Sequence, residues 1–147
     1  MPGTLNHSSA DVVQQVLVAL GLGVAPPAVP WPVFVDSDPD APDSMISVWD
    51  TTGIKHGRVQ VTGETQEHHG VMIRVRSDTH ANGYAKARAI AVGIDEDVYQ
   101  ETVHLGASTY LLHAITRVGD VNVLGKEVPT ARRSLFTINA LVFVQQL

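Results

Sequence analysis

The sequence predicts an α+β fold, and three stretches carry that prediction. Gly70-Val71-Met72-Ile73-Arg74-Val75-Arg76-Ser77 alternates Val71, Ile73 and Val75 with Met72, Arg74 and Arg76. That is the two-residue period of a strand with one apolar face and one face carrying two guanidinium groups. From about Ala81, the residues Tyr84, Ala87, Ala91, Ile94 and Val98 recur three and four apart. They form the stripe of a helix laid on a sheet, with Lys86 and Arg88 turned outward. Leu135–Val144 sets Phe136, Ile138, Ala140, Val142 and Val144 on one strand face, while Leu135, Leu141 and Phe143 leave the other only partly polar. Such a strand is central in its sheet or covered by another subunit.

The remaining elements follow in order. Ser8 or Ser9 caps a first helix, with Asp11 near its positive end and Val12, Val13, Val16, Leu17 and Leu20 on its apolar face. Gly21 and Gly23 stop it. Gly21-Leu22-Gly23 follows a helix, whereas a nucleotide loop must follow a strand. Pro26, Pro27, Pro30 and Pro32 make an extended connector, and Val33-Phe34-Val35 is a short strand. The acids Asp36, Asp38, Asp40 and Asp43 then invite comparison with a calcium loop. That loop needs glycine sixth and glutamate twelfth, where Ala41 and Ser47 stand, so a solvated turn is expected. Met45–Asp50 alternates Ile46 and Val48 with Ser47 and Trp49, as a half-buried strand does.

From Thr51 to His69 the chain is polar and glycine-containing. It is expected as a long hairpin arm, with Arg58–Thr62 as one weak strand, or as a surface loop. Asp78 or Asn82 caps the second helix. Gly83 and Gly93 each weaken it by ~1 kcal/mol or admit a neighbouring backbone, and Asp95-Glu96-Asp97 marks its end. Tyr110–Arg117 sets Leu111, His113 and Ile115 against Tyr110, Leu112 and Ala114. Gly119-Asp120 signals a tight turn into a strand Val121–Leu124. A single domain over 1–147 is expected, with 1–8 flexible and 51–69 as the arm.

Composition narrows the function classes. A chain of 147 residues suits one core. Met1–Ser9 has neither the basic start nor the apolar run of a signal peptide, and nothing approaches the ~18 apolar residues of a membrane span. Without cysteine there is no disulfide or thiolate chemistry. With 15 acids against 10 bases, the net charge of −5 argues against a free-standing nucleic-acid binder.

Motifs for catalysis are weak. His68 and His69 are adjacent, so their rings point to opposite sides of an extended chain, and His56, His80, His104 and His113 are scattered singles. Gly106-Ala107-Ser108 lacks the second glycine of a nucleophile elbow. No catalytic residue, metal or cofactor is therefore assigned. The arginines say more. Arg74 and Arg76 share a strand face, Arg132 and Arg133 precede the last strand, and Arg58 lies in the arm. Arginine forks pair with carboxylates and favour interfaces. These five, with Asp36, Asp38, Asp40 and Asp43, are the candidate subunit or partner contacts.

Taken in sequence, several pieces resemble the tail terminator, or minor capsid, family of tailed bacteriophages. They are Pro30-Trp31-Pro32-Val33-Phe34-Val35, the acidic turn Pro39–Asp43, Trp49-Asp50-Thr51-Thr52-Gly53 and Gly70–Ser77. Gly83-Tyr84-Ala85-Lys86-Ala87-Arg88, Ala114-Ile115-Thr116-Arg117 and Arg132–Asn139 complete the series. The resemblance implies a mixed, mainly antiparallel sheet with two helices packed on one side. It also implies a structural, non-enzymatic virion protein assembled in the host cytoplasm as a homo-hexameric ring. Such a ring ends tail-tube polymerisation and docks the tail to the head connector, with the tube and head-completion proteins as partners and DNA passing through the lumen. The family's arm between the second and central strands varies, and the resemblance assigns no role to the Thr51–His69 arm here. The alternatives are another neck component (a head-completion or adaptor protein), a small metal-dependent hydrolase using His68, His69 and the Asp36–Asp43 acids, or a ligand-binding α+β domain.

Overall fold

Among the described residues, alternation and helical spacing resolve into nine elements. These are α1 (Ser9–Ala19), β1 (Val33–Val35), β2 (Met45–Arg58), β3 (Thr65–Ser77), α2 (His80–Asp97), β4 (Glu101–Leu105), β5 (Ser108–Arg117), β6 (Asn122–Lys126) and β7 (Ser134–Gln146). The computed structural model describes residues 5–58, 65–127 and 132–147, and for 54–58 and 65–67 the backbone alone. The strands form one sheet in the order β1-β2-β3-β7-β5-β4, with β6 also on β7. Among the described strands only β1 runs parallel to its neighbour; the other pairings are antiparallel. The fold is α+β, mixed and mainly antiparallel.

The core follows from the two strands with the cleanest patterns. Val71, Ile73 and Val75 of β3 stand opposite Ala140, Ile138 and Phe136 of β7, and all six are buried. Cross-strand apolar pairs of this kind are the unit of sheet stabilisation. β7 lies between β3 and β5, at the centre of the sheet. Against this surface pack Val12, Val13, Val16 and Leu17 of α1, and Ala87, Ile90, Ala91 and Ile94 of α2. The sheet curls so far that α1 touches β1, β2 and β3 on one side and β4 on the other.

α1 begins with a capping box between Ser8 and Asp11. Of the segment 1–8 expected to be flexible, Asn6 donates its N–H to Gln146 Oε1 at 2.9 Å and His7 donates to Tyr110 Oη at 3.0 Å. α2 is capped by Thr79 rather than by Asp78 or Asn82. Thr79 Oγ1 accepts from Asn82 N at 3.2 Å, while Asp78 accepts from Ser77 and Ser44 hydroxyls.

The stripe of α2 is shifted from the expected one. Gly83 and Ile90 join it, and Tyr84 is 43% exposed. A Cβ on Gly83 would sit 2.5 Å from Phe136 Cε2, so the missing side chain is what brings α2 down onto β7. Lys86 does not turn outward. Its Nζ donates to Leu22 O at 2.9 Å and lies 5.3 Å from the Trp31 ring centroid, and burial lowers its pKa.

Three strand features differ from the pattern in the sequence. β4 was not expected; it pairs with β5 from Glu101↔Leu112 to Leu105↔Ser108, with Val103 as its buried residue. β5 carries a bulge between Leu112 and Ala114. It shifts the buried phase from Tyr110 and Leu112 to Ile115. Gly119-Asp120 does not reverse the chain. β5 ends at Arg117↔Ala140 and β6 resumes at Asn122↔Thr137, so both run the same way along one edge of β7.

Of the stretch expected as an arm or loop, residues 51–58 and 65–69 are described. β1 stops opposite Val48, the β3–β7 pairing stops at His69↔Val142, and β2 and β3 continue past both as a two-stranded ribbon. Their register slips between Thr51 and Ile54. There a Cβ on Gly53 would lie 2.2 Å from His68 O, so only glycine fits. Most of the expected weak strand Arg58–Thr62 lies outside the described residues.

Candidate functional site

The sheet face opposite the helices carries the even-numbered side chains of β3, Met72, Arg74 and Arg76. Arg76 stands opposite Met45 of β2 and Leu135 of β7, and Arg74 stands opposite Ser47 and Thr137. The segment between β1 and β2 folds back over this end of the face. Arg76 is 2% exposed, and its guanidinium binds the segment mainly through main-chain oxygens. Nη2 donates to Pro39 O and Pro42 O, each at 2.6 Å, and Nε donates to Asp43 O at 3.3 Å. Nη1 reaches Asp38 Oδ1 at 3.5 Å, and Arg74 Nη1 approaches Asp38 Oδ2 at 3.4 Å. The planar fork of arginine suits this task, since one head can satisfy several carbonyls turned toward it.

Arg133 completes the cluster from the other side and is also 2% exposed. It donates to Asp40 O, to Asp40 Oδ1 at 3.1 Å and to Glu127 Oε1, and pairs with Asp43 Oδ1 at 3.5 Å. Arg132, its neighbour in sequence, is exposed and meets the same Asp43 Oδ1 at 3.1 Å from the surface. The hydrogen bond to Glu127 raises the pKa of Arg133, and the same bond holds the Glu127 carboxyl below its usual range. Burial, followed by the neighbouring Arg133 charge, lowers the pKa of Arg76.

Of the candidate residues, Arg74, Arg76, Arg132, Arg133, Asp38, Asp40 and Asp43 are therefore brought together within one chain. Asp36 is exposed at the end of β1 and makes no ion pair among the described residues. Arg58 ends β2, and its side chain lies outside the described residues. The outcome is a pinned acidic loop: Arg76 and Arg133 face inward as anchors, and the acid edge faces outward, with the Asp40 side chain 94% exposed.

The sequence did not single out Glu127, whose signal is only its place six residues ahead of Arg133. Nor did it single out a second ionic pair, in which Arg117 grips Asp95 with Nε at 3.0–3.1 Å and Nη2 at 2.7 Å.

Among the described residues, no group of three or more His, Asp or Glu side chains could hold a metal ion. Among them, too, no helix is long and apolar enough to cross a membrane.

Comparison with known proteins gives the following. No curated protein matches the chain. Among solved structures, a chain of the virion of the native gene transfer agent particle aligns over 91% of this chain and 91% of its own length, at 20% identity and a TM-score of 0.48. A family model described as bacteriophage tail terminator protein matches residues 16–106, from within α1 through β4, which is more than half of the chain. The chain thus belongs to the bacteriophage tail terminator family, structural proteins of the virion's tail and neck.

Proposed function

We propose that this protein forms a homo-hexameric ring at the head-proximal end of the tail, where it ends tail-tube polymerisation and docks the tail to the head connector. The observation that carries the proposal, beside the family, is the acidic loop 36–43 anchored by two buried arginines. A loop needed only as a connector has no use for two buried cations. A loop that must present carboxylates in fixed positions to another protein gains from being clamped. The ribbon of β2 and β3, which leaves the sheet, supplies the second patch. A closed ring needs two different complementary patches on each subunit. The tube protein and the head-completion protein are the further partners, and DNA passes through the lumen without specific binding. A net charge of −5 suits that passage, since like charges do not adhere.

Omitting the protein from tail assembly tests the proposal. Tubes are expected to grow past their normal length, and adding purified protein is expected to stop them. Tubes of normal length without it would overturn the terminator role, and caps found on DNA-filled heads would assign it to head completion instead.

A further inference from the structure

One strand edge of the subunit is left open. β5 has β7 along one side to its end, but β4 accompanies the other side only as far as Leu112. After a last bond from Gln100 N to His113 O at 3.1 Å, the edge from Ala114 to Arg117 has no strand beside it among the described residues. Val118 N donates to Asn139 O at 2.8 Å. By antiparallel alternation Thr116 then bonds toward β7, and the N–H and C=O of Ile115 and Arg117 point to the open edge.

The last turn of α2 stands beside this edge. Between them lies a groove of about 460 Å³, lined by Ile94, Asp95, Val98, Tyr99, Ile115 and Arg117 among others. Asp95 and Arg117 brace it across the opening, and Tyr99, 75% exposed, stands on its rim. Unpaired main-chain groups beside a part-apolar groove suit an extended segment that adds a strand.

The ribbon has the complementary need. A two-stranded ribbon is marginal in water and gains stability from a third strand, yet past Val48 and His69 neither strand has an outer neighbour among the described residues. Its first strand, Ile54-Lys55-His56-Gly57-Arg58, holds two cations and no acid. The groove is flanked by the exposed acids Glu96, Asp97 and Glu101, beside the Asp95 already held by Arg117. The ribbon continues β2 and β3 on the far side of β7, so the same chain does not supply the strand. We propose that Ile54–Arg58 of one copy lies in this groove on a second copy and extends its sheet at Ala114–Arg117. The proposal rests on the ring above and gives that ring its heterologous contact.

The test uses purified tails carrying the full chain with a photo-crosslinking benzoylphenylalanine at Tyr99 or, separately, at the exposed Thr116. Equal amounts of isotope-labelled and unlabelled chain separate contacts between copies from contacts within one. Crosslinks from at least one position to residues 51–58 of another copy are expected. Crosslinks only to the tube protein, only to the head connector or within a single copy, or none to residues 51–58 from either position, would overturn the groove contact. Six copies per tail in those same particles would leave the ring standing, whereas one copy per tail would overturn the ring itself.

Discussion

Arg132 and Arg133 are adjacent and chemically identical, yet one is a surface charge and the other an anchor. Losing one partner of a buried, hydrogen-bonded pair strands the other charge and costs about 3–5 kcal/mol, whereas an exposed pair contributes about 0–1 kcal/mol. Urea unfolding of Arg133→Met should therefore show a loss of about 3 kcal/mol. Arg132→Ala should lie within about 1 kcal/mol of the parent. Equal losses would mean that the loop is not pinned from that side.

Glu127 adds a pH dependence of definite sign. Its folded pKa is held below the ordinary 4.5 by Arg133, so the folded state binds the proton less tightly than the unfolded chain does. The stabilisation is complete above 4.5 and is lost as pH falls through the depressed folded value. Melting temperature followed downward from about pH 5 should fall more steeply in the parent than in Glu127→Gln. Parallel curves would remove this linkage. The arginines' shared face was legible from the phase of Val71–Arg76. Their partners were not, because Asp38, Asp40 and Glu127 come together only through the folding of a loop, and no period in the sequence encodes which arginine faces inward.

Elements with a full apolar face were the easiest to read, and those with a broken or single-residue pattern were missed. β3, β7, α1 and α2 each place several residues in one core, and all were visible. β4 shows one buried side chain, Val103, beside exposed Glu101, Thr102 and His104, so its alternation carries almost no signal. The bulge in β5 changes phase in mid-strand, and the Gly119-Asp120 signal marks a jog that local turn chemistry cannot tell from a reversal. α2 shows a contest between local and tertiary terms. Alanine is favoured over glycine inside a helix by ~1 kcal/mol. A Cβ at Gly83, however, would meet Phe136 at 2.5 Å and Ser77 Cβ at 2.9 Å, and overpacking of that kind costs about 1–3 kcal/mol. Packing should win, so Gly83→Ala is expected to lower the melting temperature. A rise would show that α2 can lift off β7 without loss.

The whole molecule separates its interior from its contacts cleanly enough to be tested at the acidic loop. The anchors of that loop are buried and neutralised, while its outward acids differ in how much the fold depends on them. Asp40 is engaged by Arg133; Asp36 pairs with nothing among the described residues and is exposed. Asp36→Lys therefore removes no side-chain interaction from the subunit; because Asp36 stands at a left-handed φ of 53°, which aspartate tolerates better than lysine, a loss of about 1 kcal/mol is expected. If the loop meets a partner, the same change puts a cation where a carboxylate is required, and like-charge juxtaposition across an interface costs several kcal/mol. Asp36→Lys should then remain folded but fail to assemble, leaving tails overlong by electron microscopy when it is the only copy supplied. Folded Asp36→Lys protein that still yields tails of normal length would take the acidic loop out of the assembly surface. The contacts would then fall to the ribbon and the open edge of β5.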